Sequence, residues 1–546
     1  MPKTRAFVVA GTLVCLAGLS PGSVRATTLT TTRVLAKSGD ASPDGTGVLF
    51  QLVGATVLNA AGQVAFESNI YNQGFAAGSA IFRCSTPTDL TLIVRASVTT
   101  SDSSMGWPAP DGNGYFSPLD LPAIQINASG QVSFFSRLLD TFAPAEMEGI
   151  FVGSGGQQGL IQIVRGNDPV PNTQDVVTDL TTPGAWPSLD DAGRVSFQAV
   201  VSSAAQALLT GDGSPGSLVE VVRGGQPAPG GIGNWLSFIS PAPLNQDGDI
   251  AFGGCFGGSC GGVFRSQGSE ILPIALNGDT SPDGNGTFLG LGVVAPEFND
   301  SGQAAFFDPI LLNTMGGSSD NAAIFRGDGT SLVVIARRGD LTPGGNGRLL
   351  DIQGTNVGFN DLGQVLFTST ITGAQNGSAA GLFRGDGVQL TTVARVNDPA
   401  PGGPGVFSKF EPETFALNDQ GQAVFQAFID LGDGGGTQDT EGLFLFDDVH
   451  GVRALARLGD LVPGAVTIGG LYFTGQANAF HAGPSGLNDQ GVVAYRFAGN
   501  DGNYYIAITT PEPGGEALAV TAVASLALVA RCKRGRAQSA MRSGPV

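Results

Sequence analysis

Hydrophobic and polar positions follow one short pattern that occurs eight times along the chain. Each copy has an Asn, two variable residues, a Gly and an alternating stretch that ends in Ala-Phe, as in Asn-Ala-Ala-Gly-Gln-Val-Ala-Phe at residues 59–66. The copies begin 54 to 70 residues apart, at Asn59, Asn127, Asp190, Asn245, Asn299, Asn360, Asn418 and Asn488. A repeat of this length predicts an array of similar units rather than several unrelated domains.

Each unit predicts four β-strands, A to D. Strand A precedes the Asn, strand B follows the Gly, strand C is a block such as Ala-Ile-Phe-Arg at 323–326, and strand D ends in Ala-Arg, as at 452–457. The A–B link Asn-Asp-x-Gly is typical of a tight hairpin, because Asn can bond its own backbone and Gly accepts a left-handed conformation. The C–D link Arg-Gly-Asp-Gly predicts a second tight turn.

We therefore predict an all-β fold, a β-propeller of eight four-stranded blades. The repeats open with a strand D at 31–37 that has no strand C before it, and they end with a strand C at 504–508 that has no strand D after it. The N-terminal strand would complete the last blade. A linear β-solenoid is the alternative, but its coils are usually shorter and it would not need complementary incomplete ends.

Composition agrees with a turn-rich β protein, since the 546 residues include 84 Gly, 32 Pro and 33 Phe, and 13% are charged. Both ends of the chain are poor in acid. Residues 27–509 keep 19 basic and 44 acidic residues, a net charge of −25. Such a surface repels nucleic acid and anionic membranes, so neither is an expected partner of this segment.

The two ends have the composition of targeting segments. Residues 1–26 carry Lys3 and Arg5, an apolar run at 6–19 and small residues before Ala26, which predicts a signal peptide read by the Sec export machinery. Residues 510–546 carry Pro511, Glu512 and Pro513, an apolar run at 517–530 and a basic cluster at 531–536. As a helix that run would span about 21 Å, short for a bilayer crossing.

This tail resembles the PEP-CTERM sorting signal of exported bacterial proteins, although its apolar run is rich in Ala and ten residues follow Arg536. The resemblance implies an exosortase-like protease that removes the tail; an ordinary anchor that stays is the alternative. The repeats, over about residues 30–508, resemble the bacterial choice-of-anchor tandem-repeat NxxGxxAF proteins. That resemblance implies export to the envelope, surface or extracellular matrix of a Gram-negative-type bacterium, with membrane contact only through the unprocessed tail and no catalytic residues to carry over.

Three cysteines remain in residues 27–509. Cys255 and Cys260 flank a Phe-Gly-Gly-Ser segment between two predicted strands, so an oxidising compartment predicts a disulfide between them. Cys84 is left as a buried or free thiol. A zinc site would need more ligands than these and two distant His residues provide.

Several polar motifs invite a functional interpretation. An Asp follows strand D in six units, at Asp40, Asp168, Asp279, Asp340, Asp398 and Asp460, whereas Val98 and Gln226 stand there in two others. These Asp residues could form a ring for cations, but capping of a repeated turn is favoured. A long loop holds Asp430, Asp433, Asp439 and Glu441, oxygen ligands that would suit calcium, yet no EF-hand spacing is present and a solvated acidic loop is favoured.

Two further motif matches are interpreted as coincidental. Arg338-Gly-Asp340 matches an integrin-binding tripeptide, and residues 257–261 match Gly-x-Ser-x-Gly without a His partner or a strand-to-helix elbow. His450 and His481, the two histidines, fall in a predicted C–D turn and a predicted D–A loop.

The sequence thus predicts a non-enzymatic, cofactor-free protein that binds polysaccharide or protein, with its ligand site on the variable B–C/D–A face or at the axial channel. A structural matrix component without a specific ligand is one alternative. A polysaccharide-active enzyme that uses axial Asp or Glu residues is the other. The enzyme alternative requires charged side chains of different blades to converge at the channel.

Overall fold

The structure is a computed structural model that describes residues 30–98, 105–119, 124–144, 147–181, 186–239, 241–257, 259–291, 295–432, 440–464, 466–478, 481–482 and 485–511. Thr30–Pro511 form one compact unit. Within it the described residues build eight antiparallel sheets arranged as the blades of a β-propeller, so the predicted all-β fold and the predicted number of blades are confirmed.

The strands follow the predicted A-to-D order in every blade. Blade 1 has β2 (Val48–Leu58), β3 (Val64–Asn72), β4 (Phe75–Cys84) and β5 (Thr91–Ala96); blade 2 has β6 (Tyr115–Phe116), β7 (Gln125–Ile126), β8 (Val132–Leu139), β9 (Glu148–Gly153) and β10 (Leu160–Arg165); blade 3 has β11 (Val177–Asp179), β12 (Ser188–Leu189), β13 (Val195–Val201), β14 (Gln206–Gly211) and β15 (Val219–Arg223); blade 4 has β16 (Trp235–Ile239), β17 (Ala251–Phe256), β18 (Ser259–Gln267) and β19 (Glu270–Leu276).

The second half repeats the arrangement. Blade 5 has β20 (Thr287–Phe288), β21 (Glu297–Phe298), β22 (Ala304–Asp308), β23 (Leu311–Leu312), β24 (Ala323–Gly327) and β25 (Leu332–Arg337); blade 6 has β26 (Arg348–Phe359), β27 (Val365–Thr372), β28 (Ala380–Gly385) and β29 (Leu390–Arg395); blade 7 has β30 (Val406–Leu417), β31 (Ala423–Asp430), β32 (Thr440–Asp447) and β33 (Gly451–Arg457); blade 8 has β34 (Leu461–Val462), β35 (Val466–Tyr472), β38 (Val493–Gly499), β39 (Tyr504–Pro511) and β1 (Thr30–Lys37).

The remaining elements are short. A two-stranded hairpin, β36 (Ala477–Asn478) with β37 (His481–Ala482), lies in an insertion of blade 8, and 3₁₀ turns occur at Gln157–Gly159, Pro229–Gly231, Gly317–Ser319, Pro343–Gly345 and Gln375–Gly377.

The N-terminal strand closes the ring as predicted. Strand β1 pairs antiparallel with β39 from Thr31 opposite Thr510 to Lys37 opposite Tyr505. Blade 8 therefore takes its outer strand from one end of the propeller and its other strands from the other end, so that β39 is paired on both sides and β1 forms the outer edge of the sheet.

The hydrophobic core is divided among the junctions between blades. Eight clusters of buried apolar side chains occur in the described residues, each formed mainly by two adjacent blades. In six blades the motif Phe stacks beside the Phe of strand C, with ring centroids 5.6 to 5.9 Å apart, as for Phe66 and Phe82. The last positions of the motif thus fix how strand B packs on strand C.

Candidate functional site

The motif Asn residues join neighbouring blades around the axis. The Asn side chain accepts a hydrogen bond from the backbone four residues on, as from Gln63 N to Asn59 Oδ1 at 2.9 Å, and Gly62 has the positive φ expected of the turn. The same amide also donates to the motif residue of the next blade, which the sequence did not predict. These Nδ2-to-carbonyl bonds, 2.8 to 3.2 Å long, run from Asn59 to Asn127, Asn127 to Asp190, Asn299 to Asn360, Asn360 to Asn418, Asn418 to Asn488 and Asn488 to Asn59.

A second set of interblade hydrogen bonds starts from the next residue of the motif in blades 2 to 7. The backbone N–H of this residue donates to the side chain of the corresponding residue in the following blade, over 2.7 to 2.9 Å, for Ala128 to Asp191, Asp191 to Gln246, Gln246 to Asp300, Asp300 to Asp361, Asp361 to Asp419 and Asp419 to Asp489. We call the five acidic residues that accept these bonds, Asp191, Asp300, Asp361, Asp419 and Asp489, the carboxylate ring. Charged side chains of different blades therefore do converge at the channel.

The carboxylate ring lines an axial pocket of about 320 Å³. The blade 8 insertion contributes Gln476 and Ser485 to the lining of this pocket. Its Gln476 Oε1 accepts from the backbone N–H of Phe359 and of Leu417, each at 3.2 Å, and the backbone of Leu58 donates to Ser485 O at 2.9 Å. These bonds hold the described residues of the insertion against blades 6, 7 and 1, beside the carboxylate ring.

Burial and mutual repulsion change the acidity of the ring. Loss of hydration, followed by the charges of Asp361 and Asp489, raises the pKa of Asp419 to about 6. Burial also raises the pKa of Asp361 and of Asp300, and nearby ring carboxylates add to both shifts. A hydrogen bond between the Asp361 and Asp419 carboxyls favours the protonated form of Asp419 and the ionised form of Asp361. The pair can thus hold one proton between them.

Blade joining alone does not require these charges. Gln246 accepts the same interblade hydrogen bond with a neutral amide, and Ala60 and Ala128 occupy the equivalent positions without any acceptor. Grouped carboxylates repel one another and resist desolvation, so a fold that needed only the hydrogen bond would be better served by Gln or Asn. The negative charge of the carboxylate ring therefore needs a functional explanation, because blade joining does not require it.

A further acid lies two residues before the motif in blade 5. The Glu297 side chain keeps partial solvent access, but the surrounding protein buries its carboxyl group. This burial raises the pKa of Glu297 to about 8. Among the described residues no side-chain hydrogen bond or ion pair reaches it. Sequence reasoning missed both Glu297 and the carboxylate ring, although Asp recurs at the second motif position in five blades and could have been noticed.

The Asp residues that follow strand D cap turns and do not form a ring at the channel. Asp340 Oδ2 accepts the backbone N–H of Arg337 at 2.7 Å, and the same bond occurs for Asp40, Asp168, Asp279, Asp398 and Asp460. Gln226 makes it with an amide, to Arg223 N at 3.1 Å. The turn-capping interpretation accounts for the whole set.

The acidic loop of blade 7 is only partly described. Asp433 and Asp439 lie outside the described residues, and Asp430 Oδ1 accepts from Gly432 N at 2.7 Å. Both carboxylate oxygens of Glu441 accept hydrogen bonds from the protein, one from Leu471 N at 2.9 Å and one from Gln426 Nε2 at 3.0 Å. Within the described part of the chain, no group of three or more His, Cys, Asp or Glu side chains is placed to hold a metal ion.

The other predicted residues are placed as follows. Cys255 is disulfide-bonded and lies directly opposite Cys260 in the β17–β18 pairing; the Cys260 side chain is outside the described part. Cys84 is a buried free thiol, and burial raises its pKa to about 12. His450 lies in the β32–β33 turn, 2.9 Å from Asp447. His481 lies in β37 of the blade 8 insertion.

The predicted terminal segments lie almost entirely outside the described residues. These are the signal peptide at 1–26, Glu512, Pro513 and the rest of the sorting tail; Pro511 is the last residue of β39. Among the described residues, no helix is both long enough and apolar enough to cross a membrane.

Solved structures similar to this chain are propeller-containing enzymes. A polysaccharide lyase, Uly1, is 11% identical with a TM-score of 0.33, covering 84% of this chain and 90% of its own. An oligogalacturonate lyase in complex with manganese is 12% identical with a TM-score of 0.31, covering 64% and 96%. A Trypanosoma rangeli sialidase is 10% identical with a TM-score of 0.28, covering 90% and 60%. Likeness at this level concerns the fold alone.

The prediction of a non-enzymatic protein is wrong against these findings. The enzyme alternative required charged side chains of different blades to converge at the channel. The carboxylate ring meets that condition.

A model of one protein family matches nearly the whole chain, over residues 23–373 and 213–517. No curated protein matches it. The chain belongs to the family of unknown function DUF7453.

Proposed function

We propose that this protein is a polysaccharide-active propeller enzyme whose carboxylate ring performs acid–base chemistry on a glycosidic bond. The observation that carries the proposal is the convergence of five carboxylates from different blades at one pocket, with the pKa of Asp419 raised to about 6. A carboxyl with that pKa holds its proton in a large share of molecules near pH 6, which an ordinary exposed Asp does not.

The ring offers the two groups that glycosidic hydrolysis needs. A protonated carboxyl donates its proton to the leaving oxygen, and an ionised carboxylate removes a proton from the attacking water. Asp419 is suited to the first role. A carboxylate one or two blades away is suited to the second role, removal of a proton from water. Because the ring carboxylates lie at different distances from Asp419, an acid and a base can stand on opposite sides of a bound sugar. A proton passed back around the ring restores the starting state.

The size of the axial pocket limits what it can hold. Its volume of about 320 Å³ is at the low end for ligand sites. We therefore expect it to hold only a short stretch of a polysaccharide.

Substitution of the proposed acid tests this function. Asp419→Asn keeps an oxygen that can accept the Asp361 N–H, as Gln246 accepts from Asp191, so the fold should be retained. The release of reducing ends from neutral and uronic-acid-containing polysaccharides should fall by about 100-fold or more in kcat. Activity of the unchanged protein should decline as pH rises past about 6, where Asp419 loses its proton.

Glu270→Gln, which removes an exposed carboxylate at the start of β19, is the matched control and should leave turnover unchanged. Full activity in Asp419→Asn, or a panel of substrates on which the unchanged protein shows no turnover, would refute the proposal.

We also propose that the propeller acts outside the cytoplasm, after export and removal of both terminal segments. The disulfide at Cys255 supports this, because such bonds persist in oxidising compartments. Intact mass of the exported protein would show the expected processing or rule it out.

A further inference from the structure

A second pocket lies away from the carboxylate ring, where blades 7, 8 and 1 meet. It has a volume of about 440 Å³, and its lining includes Thr56, Thr414, Glu441, Tyr472 and Arg496. Thr56 precedes the motif Asn of blade 1 by three residues, which places this pocket about 10 Å from the ring along strand A. None of its lining residues lines the axial pocket. We name it the blade 8 pocket.

Arg496 is the unusual member of this pocket. It occupies the position directly after the motif, where blades 3 and 7 have Gln198 and Gln426. Each of these amides donates to a strand A carbonyl of the next blade, Gln198 to Phe238 O and Gln426 to Leu471 O. Arg496 Nη1 makes the equivalent bond to Leu52 O. Blade joining at this position is thus achieved by a neutral amide, and Arg496 adds a positive charge that the joint does not require.

That charge has no acidic partner within the described residues. Among the described atoms, no carboxylate lies within 4.0 Å of the guanidinium, Nε is buried without a hydrogen bond, and Nη2 makes no hydrogen bond. Arg165 and Arg337 are neutralised, by Asp111 at 2.6 Å and by Asp283 at 2.8 Å. Arg395 and Arg457 form no ion pair among the described residues, but each has both Nη atoms bonded to backbone carbonyls. Arg95 also has nitrogens without partners but is 1% exposed, so Arg496 differs from it in lining a pocket. In a chain with 46 acidic and 27 basic residues, an unneutralised cation in a pocket indicates a place for an anion from outside.

The surrounding groups hold Arg496 in place and leave room beside it. Its guanidinium carbon lies 4.4 Å from the ring centroid of Tyr472 and 5.9 Å from that of Tyr504, so the planar group is stacked and oriented. Tyr472 itself stays 44% exposed. Glu441, the carboxylate in the pocket, is turned to Leu471 N and Gln426 Nε2 and forms no ion pair with Arg496.

We propose that the blade 8 pocket binds the carboxylate of an acidic sugar residue, with Arg496 as the anion-binding group and Tyr472 as the surface on which the sugar ring lies. An oriented guanidinium suits a planar carboxylate, and an exposed aromatic ring suits a ligand with a flat apolar face. The pocket selects the uronic acid units of a polysaccharide and is separate from the channel where bond cleavage is proposed.

The charge-removing variant Arg496→Gln tests this directly, because Gln makes the same interblade bond in blades 3 and 7 and should preserve the fold. Calorimetric titration uses an oligogalacturonide with free carboxylates, its methyl-esterified form, and an oligoglutamate of equal charge. The unchanged protein should bind the free acid, and Arg496→Gln should weaken that binding by about 10- to 100-fold. The ester and the peptide should bind no better than the variant binds the acid.

Two further variants separate this site from its surroundings. Arg348→Gln removes a positive charge from blade 6 and should bind as the unchanged protein does. Asp419→Asn should keep oligogalacturonide binding even where turnover is lost, so the two proposals can fail independently. Equal binding by Arg496→Gln, equal binding of ester or peptide, or no binding by the unchanged protein would each overturn the inference.

Discussion

At the scale of single residues, the second position of the motif decides the character of the channel. Gln246 shows that an amide supports the interblade hydrogen bond, and Asp419 shows what a carboxylate adds at the same place, a proton-binding group with a pKa of about 6. The folded state gains nothing from ionising Asp419, because burial and the charges of Asp361 and Asp489 oppose it. The ring therefore lowers stability near neutral pH, a cost that the proposed acid–base chemistry accounts for.

This cost predicts how stability depends on pH. The pKa of Asp419 is raised from 3.8 to about 6, so the folded state binds the proton more tightly than the unfolded state. The stabilisation is fully present below the unfolded value and is lost as pH rises through 6. Between pH 4 and 7 the melting temperature of the unchanged protein should fall more than that of Asp419→Asn, which should be the more stable at pH 7 to 8. Parallel melting curves for the two would contradict the assigned shift; Glu270→Gln controls for loss of an exposed acid.

At the scale of the element, the A–B hairpin uses two interchangeable pairs. In five blades the motif Asn donates to the Gln four residues on, as in Asn127 Nδ2 to Gln131 Oε1 at 2.8 Å. Blade 3 replaces the pair with Asp190 and Arg194, joined at 2.5 Å. Arg194 then takes over the bond to the next blade by donating to Gln246 O at 2.8 Å. Asn245, the motif Asn of blade 4, has an Nδ2 without a hydrogen-bond partner among the described atoms.

A double-mutant cycle tests this exchange. Asp190 is fully buried, so Arg194→Gln should leave an unpaired buried charge, and Asp190→Asn should leave Arg194 without its carboxylate. Each single change should lower the free energy of unfolding by about 2–3 kcal/mol. Asp190→Asn combined with Arg194→Gln restores the pair of the other blades and should stay within about 1 kcal/mol of the unchanged protein. Denaturant unfolding of the four proteins measures the coupling, and additive losses would show that the pairs are not equivalent.

The hairpin also shows how far sequence reasoning reaches. Asn and Gly at fixed spacing predict the turn, and the alternation after Gly predicts strand B, because both depend on local backbone geometry. The Asn360-to-Asn418 bond and the meeting of Asp361 with Asp419 depend on which blades become neighbours and on how near the axis each turn lies. Arg496 shows the same limit: its residue type is visible in the sequence, but its lack of a carboxylate partner is a property of the assembled blades.

At the scale of the whole molecule, two sets of contacts close the propeller. Strand β1 closes it at the rim, and the motif Asn residues close it at the axis. Strand β1 covers the edge of β39, and its Leu35 and Ala36 belong to the cluster between blades 8 and 1. At the axis Asn488 Nδ2 donates to Asn59 O at 3.2 Å across the same junction. The β1 closure joins residues 468 to 481 positions apart, so it forms only when the other blades have brought both ends together.

Removal of β1 should therefore open the molecule at one defined place. A variant without residues 30–37 leaves β39 as an unpaired strand edge and uncovers the blade 8–blade 1 cluster, so its melting temperature should fall by roughly 5 °C or more, and it should self-associate through the free edge. Light scattering and thermal melting measure both effects. A synthetic peptide of residues 30–37 added in trans should restore the monomer and raise the melting temperature, whereas the same peptide with Leu35→Asp should not, because the charge would enter an apolar cluster. A truncated protein that remains monomeric and melts like the full chain would show that the axial Asn contacts close the ring without β1.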